Sequence, residues 1–290
     1  MEKSKRKTVL ITGTSSGFGK LTAIQCASLG HQVFATMRDT SGRNFEKARE
    51  LANYPNIQVL EVEVTDYESV NKAISTLIQE SGKIDVLINN AGIYPTGITE
   101  TFTDEEVKKV LDINLVGTWR TMKAVLPQMR KQGEGLIVNL SSLSGRFSAP
   151  FMAIYSASKF ALEGLTEGLH YETRPLGIDI VTVQPGPFPT EIFGKIMTGS
   201  ESKVLDGYGE LSKIPDQMGK GLQEMFNALQ PNPQMVADAI LDLINLPKGQ
   251  RPLRTVVSVV GSQYTESANR HVKEQYDHFM AAFGMKELLA

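Results

Sequence analysis

Cysteine is nearly absent from this chain. Cys26 is the only one among 290 residues, which rules out an internal disulfide and suits a reducing, cytoplasmic setting. An excess of charge of either sign is missing as well: Lys and Arg number 30 against 32 Asp and Glu, a formal net charge of −2. That balance gives no general reason to expect nucleic acid or an anionic membrane as partner. No apolar stretch is long enough to span a bilayer. The basic start from Lys3 to Lys7 runs into a short apolar segment ending at Thr12-Gly13 and not into a cleavage-type segment, so no secretory signal is expected. The four histidines (His31, His170, His271, His278) lack clustered ligand spacing, so no metal is expected.

What is present is an ordinary globular composition, 41% hydrophobic. Apolar runs at 9–12, 33–36, 59–64, 86–89, 136–140, 178–183 and 255–259 read as strands. The first, fourth and fifth are nearly continuous in apolar residues, as strands covered on both faces must be. Between them Leu21/Ile24, Val70/Ala73/Ile74/Leu77 and Val107/Val110/Leu111/Leu115 keep helical spacing. This alternation implies a parallel sheet sandwiched by helices. With no internal repeat or linker, residues 1–290 are expected to form a single domain.

Two groups of residues carry chemistry. Thr12-Gly13-Thr14-Ser15-Ser16-Gly17-Phe18-Gly19 follows the apolar run Val9-Leu10-Ile11 and precedes a helical pattern. Strand, glycine turn and helix together can hold a dinucleotide pyrophosphate on backbone N–H groups and a helix N-terminus. The second group is Tyr155 and Lys159, four apart on a helix and so on one face. An ammonium beside a phenol favours the phenolate and draws its pKa down, which makes the pair a plausible device for moving a proton on and off an alcohol oxygen.

Together these residues resemble the short-chain dehydrogenase/reductase family over almost the whole chain. Its Thr-Gly-x-x-x-Gly-x-Gly turn is residues 12–19, and its Asn-Asn-Ala-Gly segment is Asn89-Asn90-Ala91-Gly92. Its mid-helix Asn falls on Asn114. Its catalytic Ser falls on Ser142, thirteen positions before Tyr155. Its Pro-Gly turn is Pro185-Gly186, followed by Thr190, where the family places a Thr on the nicotinamide carboxamide. Within the family, 34–39 and 155–164 look most like the hydroxysteroid and retinol dehydrogenase branch.

The resemblance implies a single Rossmann-type, doubly wound domain of seven parallel strands, with a substrate lid at about 187–233 and a C-terminal helix at about 263–282. It implies that Tyr155 is the acid in reduction and the base in oxidation. Lys159 lowers the phenol pKa and bonds the nicotinamide ribose, Ser142 holds the carbonyl oxygen, and Asn114 helps hold a water beside Lys159. Gly13, Ser15, Ser16, Gly17, Phe18, Gly19, Asn90, Ala91, Gly92, Pro185, Gly186 and Thr190, with Tyr155 and Lys159, are the implied cofactor contacts.

Cofactor choice rests on the end of the second strand. The family's acidic position for NAD corresponds to Met37, and Arg38 follows at once; a guanidinium fork suits phosphate oxygens. NADP(H) is therefore expected over NAD(H). In the third strand Glu63-Val64 stands where the family has Asp-Val near the adenine, and Asp66 reads as the N-cap of the next helix.

Tyr94, Phe147 and Phe193 are the candidate pocket residues beside Ser142 and Tyr155. With Met197, Tyr208, Met218, Met225 and Phe226 in the lid, they suit a hydrophobic ketone, though packing of two helices on the domain fits the same lid residues. The helix 157–169 is small or apolar on nearly every face, which in the family packs against its twin in a homodimer, often within a tetramer. A stripe of Tyr264, Ala268, Val272, Tyr276 and Phe279/Met280 marks the last helix, to cap the pocket, join a subunit contact or simply pack. The expected function is NADP(H)-dependent oxidoreduction of a ketone or aldehyde and its alcohol. Open alternatives are a non-catalytic dinucleotide sensor, an NAD-preferring alcohol dehydrogenase, and a lyase or epimerase using a transient hydride.

Overall fold

The computed structural model describes residues 6–289, so the first part of the basic stretch, residues 3–5, lies outside it. The apolar runs become β1 (Thr8–Ile11), β2 (Gln32–Met37), β3 (Ile57–Glu61), β4 (Val86–Asn89), β5 (Gly135–Leu140), β6 (Ile178–Pro185) and β7 (Arg254–Val257). They form one sheet in the order β3-β2-β1-β4-β5-β6-β7, with every neighbouring pair parallel. The helices are α1 (Gly17–Ser28), α2 (Phe45–Ala52), α3 (Tyr67–Ser81), α4 (Asp104–Leu111), α5 (Gly117–Gln132), α6 (Ala153–Thr173), α7 (Ile214–Leu229), α8 (Gln234–Asn245) and α9 (Ser262–Ala282). Strand order reverses between β1 and β4, and the crevice at that switch point is where such sheets bind ligands.

Strand side chains alternate between two cores. Val9, Ile11, Val86, Ile88 and Val138 pack with Ala23, Cys26, Val236 and Ile240 of α1 and α8. Leu10, Phe34, Leu87 and Ile137 pack with Val70, Leu77, Met122 and Met129 of α3 and α5. Burying a side chain of this kind stabilises the fold by about 1.5–3 kcal/mol. Burial pushes the Cys26 thiol up to about 12, so it packs and does not react.

Two local expectations meet a different outcome. The third strand ends at Glu61 and not at residue 64, because the chain is already turning into α3. Asp66 caps that helix, accepting from Glu68 N at 2.8 Å and Ser69 N at 3.3 Å, while Glu63 N donates to Ser69 Oγ. On α9 the expected stripe is split: Thr265 and Met280 are buried and Tyr276 stacks on Tyr171, but Tyr264 and Phe279 are 66% and 54% exposed. Asn269, bonded to Arg146 and Gln184, faces inward with Thr265, Tyr276 and Met280. α6 leaves one face open, formed by Ala157, Phe160, Gly164 and Gly168. Among the described residues no helix is long and apolar enough to cross a membrane.

Candidate active site

The glycine turn takes its shape from β4. Asn90 Nδ2 donates to the Thr12 and Gly13 carbonyls at 3.0 and 2.9 Å, and the Asn90 and Ala91 N–H groups donate to Thr12 Oγ1. Gly13 and Gly17 have φ of +70° and +56°, where a side chain is strained, and a Cβ on Gly13 would lie 2.8 Å from Ala91 Cα. A Cβ on Gly17 would lie 3.4 Å from Thr190 Cβ, so Thr190 faces the turn from across the crevice. Ser16 is the N-cap of α1 without a side-chain bond, and the first turn holds no acidic residue. The leading N–H groups, through Gly19, therefore meet no competing anion, and a pyrophosphate fits there. Phe18 is held edge-on against Phe188 at 5.8 Å. Gly186 fits where a Cβ would run into Ser258, and its N–H donates to Val257 O at 2.8 Å.

At the sheet's centre β5 delivers Ser142 and α6 delivers Tyr155 and Lys159. Tyr155 and Lys159 are 9% and 7% exposed, and the Lys159 ammonium lies 5.7 Å from the Tyr155 ring centroid. Its Nζ donates to Leu140 O at 2.7 Å. Burial pushes the phenol pKa upward, a hydrogen bond with Ser142 opposes that, and Tyr94 adds to it. Burial also brings Lys159 down to about 8, against the pull of Glu163. Of the three causes burial is the largest. Ser142 Oγ accepts from Ser144 N at 3.1 Å.

Asn114 lies in a π-helical turn, Asp112–Val116, between α4 and α5, a geometry that recurs at functional sites. Its Nδ2 donates to Ile93 O at 3.0 Å and Ser158 Oγ at 3.1 Å, and its Oδ1 accepts from Ile93 N at 2.9 Å. The side chain therefore clamps the segment after Gly92 to the catalytic helix. A Cβ on Gly92 would be 3.3 Å from Asn114 Oδ1.

At the other end of the crevice Arg38, Glu63, Thr65, Glu105, Lys108, Lys109, Asp112 and Ile113 line a cavity of about 460 Å³. Met37 is 3% exposed and belongs to the core, so Arg38 alone of the two faces out. Val64 is buried against Gly117. Over Tyr155 stands an aromatic row: Tyr94 edge-on at 4.8 Å, then Phe193 at 5.4 Å from Tyr94, then Phe226 at 5.4 Å from Phe193. The segment carrying Phe193 is pinned to the Tyr94 loop by a parallel bridge between Pro95 and Met197. Tyr208 and Met218 sit away from that row, Tyr208 bonding Glu100 at 2.7 Å and Met218 being exposed. Phe147 instead lines a shallow cavity of about 630 Å³ with Tyr264, Ser267, Ala268 and His271 of α9.

The short chain dehydrogenase family profile matches residues 7–201, the span that holds the glycine turn, Ser142, Tyr155 and Lys159. The chain belongs to the short-chain dehydrogenase family. As a member it is an oxidoreductase acting on CH–OH donors, in the hydroxysteroid/retinol dehydrogenase-like branch. It is 38% identical to human 17-beta-hydroxysteroid dehydrogenase type 1 over 251 residues, covering 84% of this chain and 75% of that one. It is 44% identical to 3-ketodihydrosphingosine reductase of Bacteroides thetaiotaomicron over 182 residues. That match covers 63% of this chain and 64% of the reductase, a little under two thirds of its length. Among solved structures, ElxO with NADP bound superposes with a TM-score of 0.69 at 28% identity, over 88% of this chain and 97% of that one.

Several partnerships at the site were not visible in the sequence. Thr12 holds Asn90 and Ala91 through its hydroxyl, and Lys108 and Lys109 border the cavity at Arg38. Glu163 is buried with Arg146 and Arg254. The signal for Glu163 was available: a lone carboxylate in the otherwise apolar run Phe160-Ala161-Leu162-Glu163-Gly164-Leu165.

Proposed function

We propose that the protein is an NADP(H)-dependent oxidoreductase that interconverts a hydrophobic ketone or aldehyde and the corresponding alcohol. The observation that carries the reading is the convergence of Ser142, Tyr155 and Lys159 beneath the Tyr94–Phe193–Phe226 row. A nicotinamide dinucleotide would lie along the crevice on the α1 N-terminus, between the glycine turn and Thr190, and would supply or accept the hydride. Ser142 would direct a neutral hydroxyl at the carbonyl oxygen. Tyr155, whose raised pKa keeps the proton on the resting phenol, would pass it to the developing alkoxide, a transfer typically worth about 10²–10⁴-fold. Lys159 would bond the nicotinamide ribose and keep positive charge beside the phenol. The aromatic row excludes water from the reacting carbon.

Arg38, with Lys108 and Lys109 on the same cavity, supports NADP(H); Glu63, 3.5 Å from Arg38, is the observation that favours NAD(H) instead. The segment 187–233 serves as the substrate lid, and the exposed small face of α6 (Ala157, Gly164, Gly168) suits pairing with a second copy. The test is consumption of NADPH and NADH with a 17-ketosteroid, 3-ketodihydrosphingosine and 2-decanone, chemistries prompted by the relatives' names. Faster turnover with NADPH on at least one is expected. No turnover on any carbonyl, with dinucleotide bound, would defeat the reading in favour of a sensor.

A further inference from the structure

The helix carrying Tyr155 and Lys159 continues, one turn on, into a carboxylate removed from water. Glu163 has a side chain 3% exposed and draws together four other elements. Its carboxylate accepts from Arg254 Nε of β7 at 2.9 Å and from Gln184 Nε2 of β6 at 2.9 Å. Thr182 Oγ1 and an Arg146 guanidinium nitrogen each stand at 3.5 Å. Arg146 Nε donates to Asn269 Oδ1 of α9 at 2.7 Å, and Asn269 Nδ2 donates to Gln184 Oε1 at 2.6 Å. Gly145 closes the arrangement, since a Cβ there would lie 2.9 Å from Glu163 Cγ and 2.7 Å from Ser141 Oγ. The turn after Ser142 therefore rests directly on Glu163.

Charge makes this more than a brace. A buried ammonium needs a nearby anion to remain charged. Lys159 Nζ is held by the Leu140 carbonyl of β5 and lies near the Tyr155 ring on its own helix, and Glu163 follows four residues on, on the same face of α6. Around Glu163 stand two further cations, Arg146 from the Ser142 turn and Arg254 from β7, and Arg254 is shared with Glu167 at 3.1 Å. His170, three turns beyond Lys159, is turned to the Ile180 carbonyl. Removing the Glu163 charge would leave Arg146 and Arg254 with Glu167 as the remaining carboxylate of this group, and would take away the carboxylate one turn from Lys159.

We propose that Glu163 is a positioning residue of the reaction, holding Lys159 in its ammonium form and the Ser142 turn against the catalytic helix. This rests on the reading of Tyr155 and Lys159 as the proton-handling pair. The test is kcat/KM against pH for NADPH-dependent reduction of whichever of the three carbonyls above is turned over fastest, over about pH 6–10. In the wild type the alkaline limb follows loss of the Lys159 proton. Glu163→Gln should move that limb to lower pH by about half a unit or more, and Glu163→Asp, which keeps the charge, should restore most of it. Arg146→Gln removes a cation from the same cluster and should move the limb to higher pH.

Uniform loss of activity with the limb fixed in both charge variants would mean a purely structural role and would overturn the proposal. If Glu163→Gln does not fold, Arg146→Gln decides alone: a raised limb supports the proposal and an unmoved one overturns it. Full activity in Tyr155→Phe would instead defeat the reading of the site, whereas a fixed limb in an enzyme that needs Tyr155 defeats only this proposal.

Discussion

Arg38 and Glu63 face each other just beyond the ends of the second and third strands, guanidinium to carboxylate at 3.5 Å, with side chains 45% and 35% exposed. A pair this exposed adds little stability, about 0.2–1 kcal/mol, but a 2′-phosphate bound by Arg38 would have to compete with it. Glu63→Gln should therefore tighten NADPH binding by up to about five-fold, at 1.4 kcal/mol per decade, and leave NADH nearly unchanged. Titration of both dinucleotides against the variant checks this. An equal change for both would place Glu63 on the adenine and not in competition with phosphate.

The burial of Met37 alters what a cofactor switch can achieve. Met37→Asp with Arg38→Ala should move the kcat/KM ratio toward NADH, chiefly by removing the phosphate partner, since the side chain at 37 belongs to the core. Because Met37 is 3% exposed among Leu51 and Ile57, the same variant should also melt lower, a buried carboxylate being costly. A wild type that already prefers NADH would mean that Arg38 does not read the phosphate.

Tyr155→Phe should lower turnover by about 10²–10⁴-fold, the usual worth of a positioned proton donor. Dinucleotide affinity should stay within a few-fold, since the ring remains and only the hydroxyl is lost. Single-turnover kinetics with preloaded cofactor separate the two effects, and a variant retaining most of its activity would refute the proton role.

Phe193 links the Tyr94 ring to Phe226 of α7. Phe193→Ala should raise KM for a polycyclic ketone more than for 2-decanone, because a flat rigid ring system loses an aromatic wall worth about 0.5–1.5 kcal/mol. NADPH affinity should be unaffected. Equal losses for both ketones and for cofactor would favour simple helix packing over a lid.

Asp179 and Arg251 form an ion pair at 2.6 Å with both side chains 3% exposed. Arg251→Met leaves the carboxylate buried without its partner and should cost about 3–5 kcal/mol, a fall of roughly 10 °C in Tm. Asp179→Leu added to it should recover much of the loss. Thermal denaturation of the three proteins decides, and a single variant as stable as wild type would mean the pair adds nothing.

Much of the scaffold was legible because β1, β4 and β5 are short, nearly continuous apolar runs, the composition of strands covered on both faces. The glycine turn and the Tyr155/Lys159 pair were legible because their chemistry fixes their spacing. Side-chain partnerships between distant segments were not. Nothing local tells that Asn114's amide hydrogens go to Ile93 and Ser158, or that Phe147 turns toward α9. The apolar pattern of α9 misled because an apolar residue can remain exposed, whereas Asn269, polar and uninformative in sequence, faces inward through Gln184 and Arg146. Desolvation at Tyr155 escaped for the same reason, being set by Tyr94 and other neighbours brought in from far along the chain.

The Asn90 clasp also bears on how the protein is made. The carbonyls that shape the glycine turn are secured by a side chain 78 and 77 positions further on. A nascent chain that has released β1 and α1 but not β4 has the whole phosphate-binding motif in its sequence and no fixed cradle in space. Dinucleotide in the cell then has no early intermediate to rescue through this contact. Its stabilising mass action begins only once strands synthesised several seconds apart, at about 5–20 residues per second, have met.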